Sequence, residues 1–288
     1  IRKHFEKTYG IFNAFNITIY VCNMIIELSD FFNNPSLVAV GPLKIQYYAV
    51  TWILSATFIY LYLKSNKIII ELGISNEKIN DLVFFYGLFI GAMCGGRLGY
   101  MLFYGSDQLF NNPLSLFYVW QGGLSFHGGL MGVIISFIVF AKKNNLSFFR
   151  LMDAISLAMP IGLGLVRIGN FLNGELYGKE TNGEWGFIFP TDPYGLLRHP
   201  SQLYESFGEG IILFTLLMLV NRLSSIHGVV CSFFLIFYGL IRFVIEFFRQ
   251  PDAHIGYVIS NFLSMGQVLC IPMVLIGFIM LYKLRKKA

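Results

Sequence analysis

Long apolar stretches, separated by short polar ones, fill most of the chain. A bilayer core about 30 Å thick needs about 20 mostly apolar helical residues to cross it, and seven stretches reach or approach that length. They are continuous and lack the two-residue alternation of a membrane β-barrel, which favours helices. The pattern predicts an all-α membrane protein with about seven transmembrane helices. The predicted spans are residues 44–63, 82–104, 121–141, 151–172, 206–221, 228–248 and 262–282.

Composition agrees with this pattern. Hydrophobic residues make up 56% of the 288 and charged residues only 13%, with a mean hydropathy of +0.63, whereas soluble domains carry roughly 25% charged residues. Four cysteines lie in apolar segments without metal-ligand spacing, and neither an H-E-x-x-H motif nor a phosphate-binding P-loop is present. We therefore predict a single membrane domain that needs no metal or nucleotide cofactor.

The distribution of charge predicts the orientation. Lysine and arginine accumulate in the loops after the first, third and fifth predicted spans and in the C-terminal tail, as cytoplasmic segments do. The loop 105–120 has none, and the loop 173–205 has two among several acidic residues. These loops are predicted to face outward, so 173–205 forms an extracytoplasmic head segment between spans four and five. The net charge of +5 indicates topology signals and contacts with lipid headgroups rather than a nucleic-acid surface.

The N-terminal residues follow a different pattern. Basic residues precede a moderately apolar run, 11–28, which three asparagines interrupt. An extra span, an uncleaved signal-like anchor and an interfacial helix all fit this run. We treat residues 1–34 as an extension of unknown role and residues 35–288 as the transmembrane domain.

Charged residues inside the sixth predicted span need an explanation, because each costs at least about 2.5 to 3.5 kcal/mol at the centre of a membrane. At about 100° per residue, Tyr238, Arg242, Glu246 and Arg249 fall within roughly 80° of one another and form one polar stripe. A structural ion pair between Arg242 and Glu246 is one interpretation. The second arginine leaves an excess of positive charge, which favours an anionic ligand near the outer leaflet.

Two further arginines lie in predicted spans. Arg167 is followed by Asn170, Asn173 and Glu175, which indicates a polar pocket at the membrane rim, although an arginine here could also snorkel to the interface. For Arg97, in G-G-R-L-G-Y, a contact with a lipid headgroup and a purely structural role are equally compatible with the sequence.

His127 is the readily titrating side chain of a long stretch without Asp, Glu, Lys or Arg. Taken alone, such a histidine is more often a hydrogen-bonded structural residue. The glycine pairs on either side, 122–123 and 128–129, remove side-chain bulk and allow a ligand to approach. A histidine with free access is a candidate base toward a thiol.

Six segments, in order from about residue 35 to the C-terminus, resemble the prolipoprotein diacylglyceryl transferase family. Each motif alone is modest, but six in register are highly specific. They are G-P-L-K-I-Q-Y-Y before the first span, G-G-R-L-G-Y-M-L-F-Y, H-G-G-L at His127, R-I-G-N-F-L-N-G-E-L-Y-G at Arg167, H-P-S-Q-L-Y-E at His199 and R-F-V-I-E-F-F-R-Q-P-D at Arg242.

The resemblance implies an enzyme of the bacterial cytoplasmic (inner) membrane with seven helices, an outside N-terminus and an active site on the extracytoplasmic side. It implies transfer of the diacylglyceryl group of phosphatidylglycerol to the lipobox cysteine of a prolipoprotein signal peptide, the first step of lipoprotein maturation. The expected partners are these two substrates and membrane lipids, without nucleic acid.

The resemblance also implies roles for individual residues. Arg167 and Arg242 are expected at the phosphate, with His127 as a candidate base. The expected substrate-binding residues are Tyr48, Asn170, Glu175, Gly178 and Glu246, to which the patterns above add Arg97, Tyr238 and Arg249. Where the family usually has Trp-Tyr-Gly near the first span, this chain has Tyr-Tyr-Ala at 47–49.

Two other classes of function compete with this interpretation. A transporter also places charged residues in its spans, but no inverted repeat is evident and the polar residues gather toward the outer end. A noncatalytic lipid-binding scaffold leaves the glycines beside His127 unexplained.

Overall fold

The structure is a computed structural model that describes residues 17–18, 24–28, 36–40, 43–119, 122–181, 185–251, 256–259 and 263–286. Most of these residues are helical, as predicted. Short helices occupy Lys67–Glu71 and Ser106–Asn111, and a 3-10 helix occupies Pro113–Phe117. The longer helices are α1 (Tyr47–Ser65), α2 (Asn76–Phe103), α3 (Phe126–Lys143), α4 (Phe148–Leu172), α5 (Ser201–Leu223), α6 (Val229–Ile245) and α7 (Met265–Arg285).

Five of these helices, among the described residues, are long and apolar enough to cross a membrane: α2, α3, α4, α5 and α7. This confirms the membrane character of the chain. The helix α6 is apolar but has only 17 residues, and α1, with 19, covers the first predicted span. Parts of α2 and α5, Asp81–Cys94 and Ser206–Ile212, are wound as π-helix.

The strands are short. β1 (Ile17–Thr18), β2 (Met24–Leu28), β5 (Trp185–Ile188) and β6 (Leu197–Arg198) form a sheet in that order, with β2 and β5 parallel and the other neighbours antiparallel. Two antiparallel pairs, β3 (Ser36–Val40) with β4 (Leu43–Gln46) and β7 (Tyr257–Ile259) with β8 (Leu263–Ser264), lie elsewhere.

The strand β2 corrects one prediction. We expected the run 11–28 to form a span, an anchor or an interfacial helix, but residues 24–28 are extended and pair with β5. The consecutive isoleucines 25 and 26 favour strand pairing, because β-branched side chains suit a pleated surface. The rest of that run, apart from 17–18, lies outside the described residues.

The chain divides into two compact units, residues 1–55 with 159–288, and residues 56–158. In the second unit, α2 and α3 approach closely through glycines. A Cβ atom added to Gly99 would lie 2.6 Å from Gly128 Cα, and one added to Gly95 would lie 2.8 Å from Gly132 Cα. Small residues four apart allow this approach in a membrane, as their spacing indicates.

In the first unit, α6 packs against α7 by the same device. A Cβ atom at Gly239 would lie 2.7 Å from Val274 Cγ2, and one at Gly277 would lie 2.6 Å from Ile236 Cγ1. The last part of α4 approaches α5, since a Cβ atom at Gly164 would lie 3.2 Å from Gly210 Cα. A Cβ atom at Gly208 on α5 would lie 2.8 Å from Ile241 Cγ2 on α6, so this part of α5 is close to both α4 and α6.

Candidate active site

Three arginines and three glutamates meet where α4, α5 and α6 come together in the first unit. Arg167 Nε lies 2.9 Å from Glu205 Oε2 and 3.6 Å from Glu209 Oε2. Arg242 Nη1 donates to Glu205 Oε1 at 2.5 Å and to Glu209 Oε1 at 3.2 Å. Two carboxylates of one helix therefore bridge two guanidinium groups from two other helices. We call Arg167, Glu205, Glu209, Arg242, Glu246 and Arg249 the arginine–glutamate cluster.

The positions of these residues follow from helix geometry and close packing. Glu205 and Glu209 are one turn apart on α5, so they lie on the same face. The Ser206 hydroxyl donates to the carbonyl of Gly164 at 2.9 Å, which ties α5 to α4 three residues before Arg167. The approach of α4 to α5 at Gly164 thereby brings Arg167 to both carboxylates.

The third glutamate is held from two sides. Arg242 Nη2 lies 2.7 Å from Glu246 Oε2, one helical turn away, and the Ser264 hydroxyl donates to Glu246 Oε1 at 3.0 Å. Ser264 is also the N-cap of α7 and forms a capping box with Gln267. A side chain at Gly266 would collide with this carboxylate, since its Cβ atom would lie 2.7 Å from Glu246 Oε1. The start of α7 is therefore shaped around Glu246.

The balance of charge in the cluster differs from our prediction. We expected an excess of positive charge on the sixth span, but among the described residues the three arginines face three glutamates. The difference arises because Glu205 and Glu209 come from another helix, which the periodicity of α6 cannot show. Both carboxylate side chains are fully buried, whereas the side chains of Arg167 and Arg242 keep 18% and 12% of their surface exposed. Without a ligand, the arginines are therefore partly accessible, whereas Glu205 and Glu209 are enclosed.

Arg249 does not lie on the helical stripe that its spacing suggested. The helix α6 ends at Ile245, and a turn follows. Residues 248–250 instead pair with 177–179: Gly178 and Arg249 form an antiparallel bridge, and Lys179 N–H donates to the carbonyl of Phe248 at 2.9 Å. Arg249 Nη1 still donates to Glu246 Oε1, at 3.4 Å, so it reaches the cluster from the loop.

Gly178 is required for this pairing by its surroundings. A Cβ atom there would lie 2.5 Å from the carbonyl oxygen of Phe248 and 2.6 Å from that of His199. Backbone atoms at such distances cannot shift cheaply. The structure thus brings Gly178 next to Arg249, which sequence spacing alone did not indicate.

A line of hydrogen bonds extends from Arg167. Arg167 Nη1 donates to Asn170 Oδ1 at 3.4 Å, Asn170 Nδ2 donates to Glu175 Oε1 at 2.9 Å, and Gln202 Nε2 donates to the Glu175 carbonyl at 2.7 Å. Glu175 thus lies between α4 and the start of α5. These contacts hold Arg167 in a polar environment and disfavour the alternative in which it only snorkels.

The two predicted tyrosines are also in the first unit. Tyr238, half-buried on α6, interacts electrostatically with Glu209 and Arg242. Tyr48 is in the first turn of α1, where its carbonyl accepts from the Thr51 hydroxyl at 2.9 Å. Thr51 in turn fits closely against Gly169 on α4, two residues after Arg167.

Arg97 and His127 belong to the second unit. The Arg97 guanidinium donates to the carbonyls of Leu116 (3.2 Å), Ser115 (2.6 Å), Gly123 (3.3 Å) and Gly122. It is 3% exposed, so these contacts favour the structural alternative for Arg97. The residues that it holds lead to Ser125, the N-cap of α3, whose side chain accepts from Gly128 N–H at 3.3 Å. His127 follows in the first turn of α3 and is exposed.

The segment 173–205 has its own ion pair. Arg198 donates to Asp192 through Nε (2.8 Å to Oδ2) and Nη2 (3.1 Å to Oδ1). Burial of the Asp192 carboxyl group favours its neutral form, but hydrogen bonds from Arg198 and from the N–H groups of Leu196 and Tyr194 outweigh this and lower its pKa. The same bonds from Arg198 raise the pKa of the guanidinium group. This pair fixes the turn between β5 and β6.

Comparison with known proteins identifies the family. A family profile described as prolipoprotein diacylglyceryl transferase matches residues 35–283. The chain is 45% identical over 251 residues to the phosphatidylglycerol–prolipoprotein diacylglyceryl transferase of Pseudomonas entomophila. The alignment covers 86% of this chain and 93% of the relative. The chain belongs to the prolipoprotein diacylglyceryl transferase family.

Other relatives give the same result. The enzyme of that name from Pseudomonas putida is 46% identical over 246 residues, covering 85% of this chain and 91% of the relative. The one from Ectopseudomonas mendocina is 44% identical over 244 residues, with 85% and 91% covered. The resemblance inferred from the motifs is therefore confirmed, and the chain is a transferase.

Sequence reasoning missed one member of the cluster. Glu205 entered the sequence analysis only as the last residue of the motif H-P-S-Q-L-Y-E, and Glu209 was not considered. A signal was present, because Glu209 is an acidic residue in an apolar span, one turn after Glu205 and flanked by Gly208 and Gly210. A buried acid at that spacing predicts a cationic partner on a neighbouring helix.

Proposed function

We propose that the chain transfers the diacylglyceryl group of phosphatidylglycerol to the thiol of a prolipoprotein lipobox cysteine at the arginine–glutamate cluster. Membership of the family supports the reaction. The observation that supports this location is the convergence of Arg167 and Arg242 on the same two carboxylates. Two guanidinium groups so close together can bind one phosphate group jointly.

The reaction is a displacement at carbon. The thiolate sulfur attacks the glyceryl CH2, a C–S bond forms, the C–O bond to phosphorus breaks, and its electron pair leaves on the phosphate oxygen as glycerol phosphate. Two requirements follow: the thiol must lose its proton, and growing negative charge on the phosphate must be stabilised. Arginine donors fixed in a low-dielectric site act most strongly on the second requirement.

We assign the roles accordingly. Arg167 and Arg242 bind the phosphate, and Asn170, Glu175, Glu246 and Arg249 hold these arginines in position. Gly178 permits the pairing that carries Arg249, and Tyr48 and Tyr238 contribute to the substrate site. His127 is the proposed base, because it is an exposed imidazole preceded by a glycine pair. The alternative is a mechanism without a base, in which an arginine stabilises the thiolate. Arg97 supports the loop that precedes His127.

An apolar groove supports the lipid substrate. It has a volume of 590 Å³ and lies between α5 and α6, lined by residues that include Tyr204, Gly208, Ile241 and Ile245. Each of these residues directly precedes a member of the arginine–glutamate cluster in the chain. Consecutive helical residues point about 100° apart, so the groove lies on a different face of α5 and α6 from the cluster, at the same level along the helices. We assign it to an acyl chain of the lipid whose phosphate binds Arg167 and Arg242.

The proposed arrangement in the cell follows from loop charge. With seven spans, counting α1 and α6, the charge of the loops supports an orientation in which the segment 173–205 and the cluster are on the extracytoplasmic side of the bacterial inner membrane. The prolipoprotein signal peptide reaches the site from the membrane. The described strand β2 of the N-terminal extension pairs with β5 of the segment 173–205. The thioether chemistry requires neither a metal nor a nucleotide cofactor.

The test is product analysis. Purified protein incubated with phosphatidylglycerol and a lipobox peptide should give a peptide whose mass increases by one diacylglyceryl group, blocked when the cysteine is replaced by serine. A transporter would instead produce ion flux in vesicles and no thioether. A noncatalytic scaffold would bind the lipid and give neither result.

A further inference from the structure

With all six side chains ionised, the arginine–glutamate cluster carries no net charge before any lipid arrives, which creates a problem for phosphate binding. A phosphodiester carries one negative charge, and the arginines that would bind it are already paired with carboxylates. Adding an anion to a balanced, poorly solvated cluster leaves an uncompensated charge, which is expensive. One carboxylate must therefore release the arginines and lose its own charge as the lipid binds.

Distances indicate which carboxylate this is. Glu205 contacts Arg167 at 2.9 Å and Arg242 at 2.5 Å, and it lies 3.8 Å from Arg249 Nε. Glu209 contacts the same first two arginines at 3.6 Å and 3.2 Å. Because ion-pair energy falls with distance, Glu209 has the weaker interactions of the two. The Oε2 atoms of Glu205, Glu209 and Glu246 alike accept no hydrogen bond from any described residue, so the distances alone distinguish Glu209.

We propose that Glu209 is the carboxylate that gives way to the lipid phosphate, and that it takes up one proton from water as phosphatidylglycerol binds. The charges then balance, since one phosphodiester and one proton enter together. The protonated carboxyl group also becomes a hydrogen-bond donor to a phosphate oxygen. This inference rests on the proposed function, because it assumes that the lipid phosphate binds Arg167 and Arg242.

The surroundings of Glu209 determine how specific this assignment is. On its own helix it faces Glu205, and it interacts electrostatically with charged or titratable groups on three other helices. These groups are Arg167 on α4, Arg242 and Tyr238 on α6 and Cys270 on α7. The two arginines stay charged at any accessible pH, and the phosphodiester does so above strongly acidic pH. A pH dependence of lipid binding between pH 6 and 9 would therefore come from a carboxyl group, Tyr238, Cys270 or His127.

The test measures lipid binding without peptide. Wild-type protein in phosphatidylcholine nanodiscs should bind phosphatidylglycerol more weakly as the pH rises, by up to about tenfold per pH unit for one linked proton. In weak buffer with an indicator dye, it should take up about one proton per lipid bound. Glu209→Gln, which is already neutral, should bind at least as tightly as wild type at pH 6, more tightly at pH 9, and without pH dependence.

Three variants serve as controls. Glu209→Asp keeps a carboxyl group and should keep the pH dependence, and His127→Ala should keep it as well. Glu77→Gln, the same exchange at an exposed position of the second unit, should match wild type. If Glu209→Gln does not fold, the absence of proton uptake by His127→Ala on lipid binding would still overturn the inference.

Two results would overturn this inference and leave the proposed function intact. One is normal transfer by the wild type with lipid binding that does not depend on pH. The other is weaker binding by Glu209→Gln at every pH, which would mean that Glu209 only holds the arginines. A wild-type protein that neither binds the lipid nor transfers it would overturn the proposed function itself, and this inference with it.

Discussion

Arg242 lies in the last turn of α6, Glu246 is the C-cap of that helix, and their side chains form an ion pair of 2.7 Å. This pair is the structural alternative that the sequence left open. It is not isolated, however, because Arg242 also contacts Glu205 and Glu209 through Nη1. A guanidinium group with three carboxylate partners and 12% of its side chain exposed is held in one orientation and can still be reached. That combination suits a donor that must be in place before its ligand binds.

Arg242→Ala tests this donor. The change removes one positive charge from a balanced cluster and leaves Glu205, Glu209 and Glu246 facing two arginines. We expect transfer to fall at least about 100-fold, since fixed donors to a developing anion are worth that much. We also expect a loss of about 3 kcal/mol in stability from the broken buried pairs. Transfer is measured as thioether product by mass spectrometry, and stability as thermal unfolding in detergent.

The matched control is Arg150→Ala, which breaks an arginine–glutamate pair in the second unit, with Glu71 at 2.8 Å. Its transfer should stay within a factor of about two, because most surface pairs contribute little. Near-normal turnover in Arg242→Ala would remove Arg242 from the proposed mechanism. Arg242→Lys separates charge from geometry: a lysine keeps the charge but cannot make the forked contacts, so we expect partial activity at most.

His127→Ala tests the proposed base. A thiol has an unperturbed pKa near 8.5, so most of it is ionised at pH 9 and very little at pH 6. If His127 removes the thiol proton, its loss should abolish transfer at pH 6 and leave much of it at pH 9. The rate of peptide modification over this pH range is the measurement. Equal activity of variant and wild type at both pH values would reduce His127 to a structural residue.

The sequence predicted the helices, which depend on one segment each, and missed the side-chain contacts that depend on several segments. Long apolar runs identified the helices, and the close approach of α2 and α3 occurs at glycines that are four apart in the sequence. Helical periodicity placed Arg249 on a stripe with Arg242, but the chain leaves the helix at Ile245 to pair with 177–179. Likewise, the partners of Arg242 on α5 could not be found from α6. The position of Arg249 and the partners of Arg242 both depend on tertiary contacts, which the periodicity of a single helix does not reveal.

Gly178→Ala tests the pairing that carries Arg249. The added Cβ atom would lie 2.5 Å from the carbonyl of Phe248 and 2.6 Å from that of His199, so the strand-like bridge must open. We expect transfer to fall at least about tenfold, because Arg249 and Glu246 lose their relative position. Gly96→Ala is the matched control, as the nearest atom to its Cβ would be an ordinary 3.5 Å away. Equal effects of the two changes would contradict a special role for Gly178.

Arg97→Lys tests whether that arginine holds the loop before α3. A lysine cannot donate to the carbonyls of Leu116, Ser115 and Gly122 together, because its ammonium group lacks the planar fork. We expect a loss of about 2 kcal/mol, the size of one hydrogen bond to a charged group. Limited proteolysis should show faster cleavage between residues 113 and 125. A protected loop with reduced lipid binding would instead indicate that Arg97 contacts the headgroup.

Asp192→Asn tests the ion pair of the segment 173–205 and its dependence on pH. Hydrogen bonds from Arg198 and from two backbone N–H groups lower the pKa of Asp192 despite its burial. A lowered folded-state pKa means that the carboxylate stabilises the fold fully above its unfolded pKa of about 3.9 and loses this effect as the pH falls through the folded value. At pH 7 the variant, which leaves the buried Arg198 without its partner, should be less stable by about 3 kcal/mol. Thermal unfolding in detergent at pH 7 and again below pH 4 should show the difference between variant and wild type shrinking. A difference that stays constant across this range would mean that Asp192 acts through packing rather than through its charge.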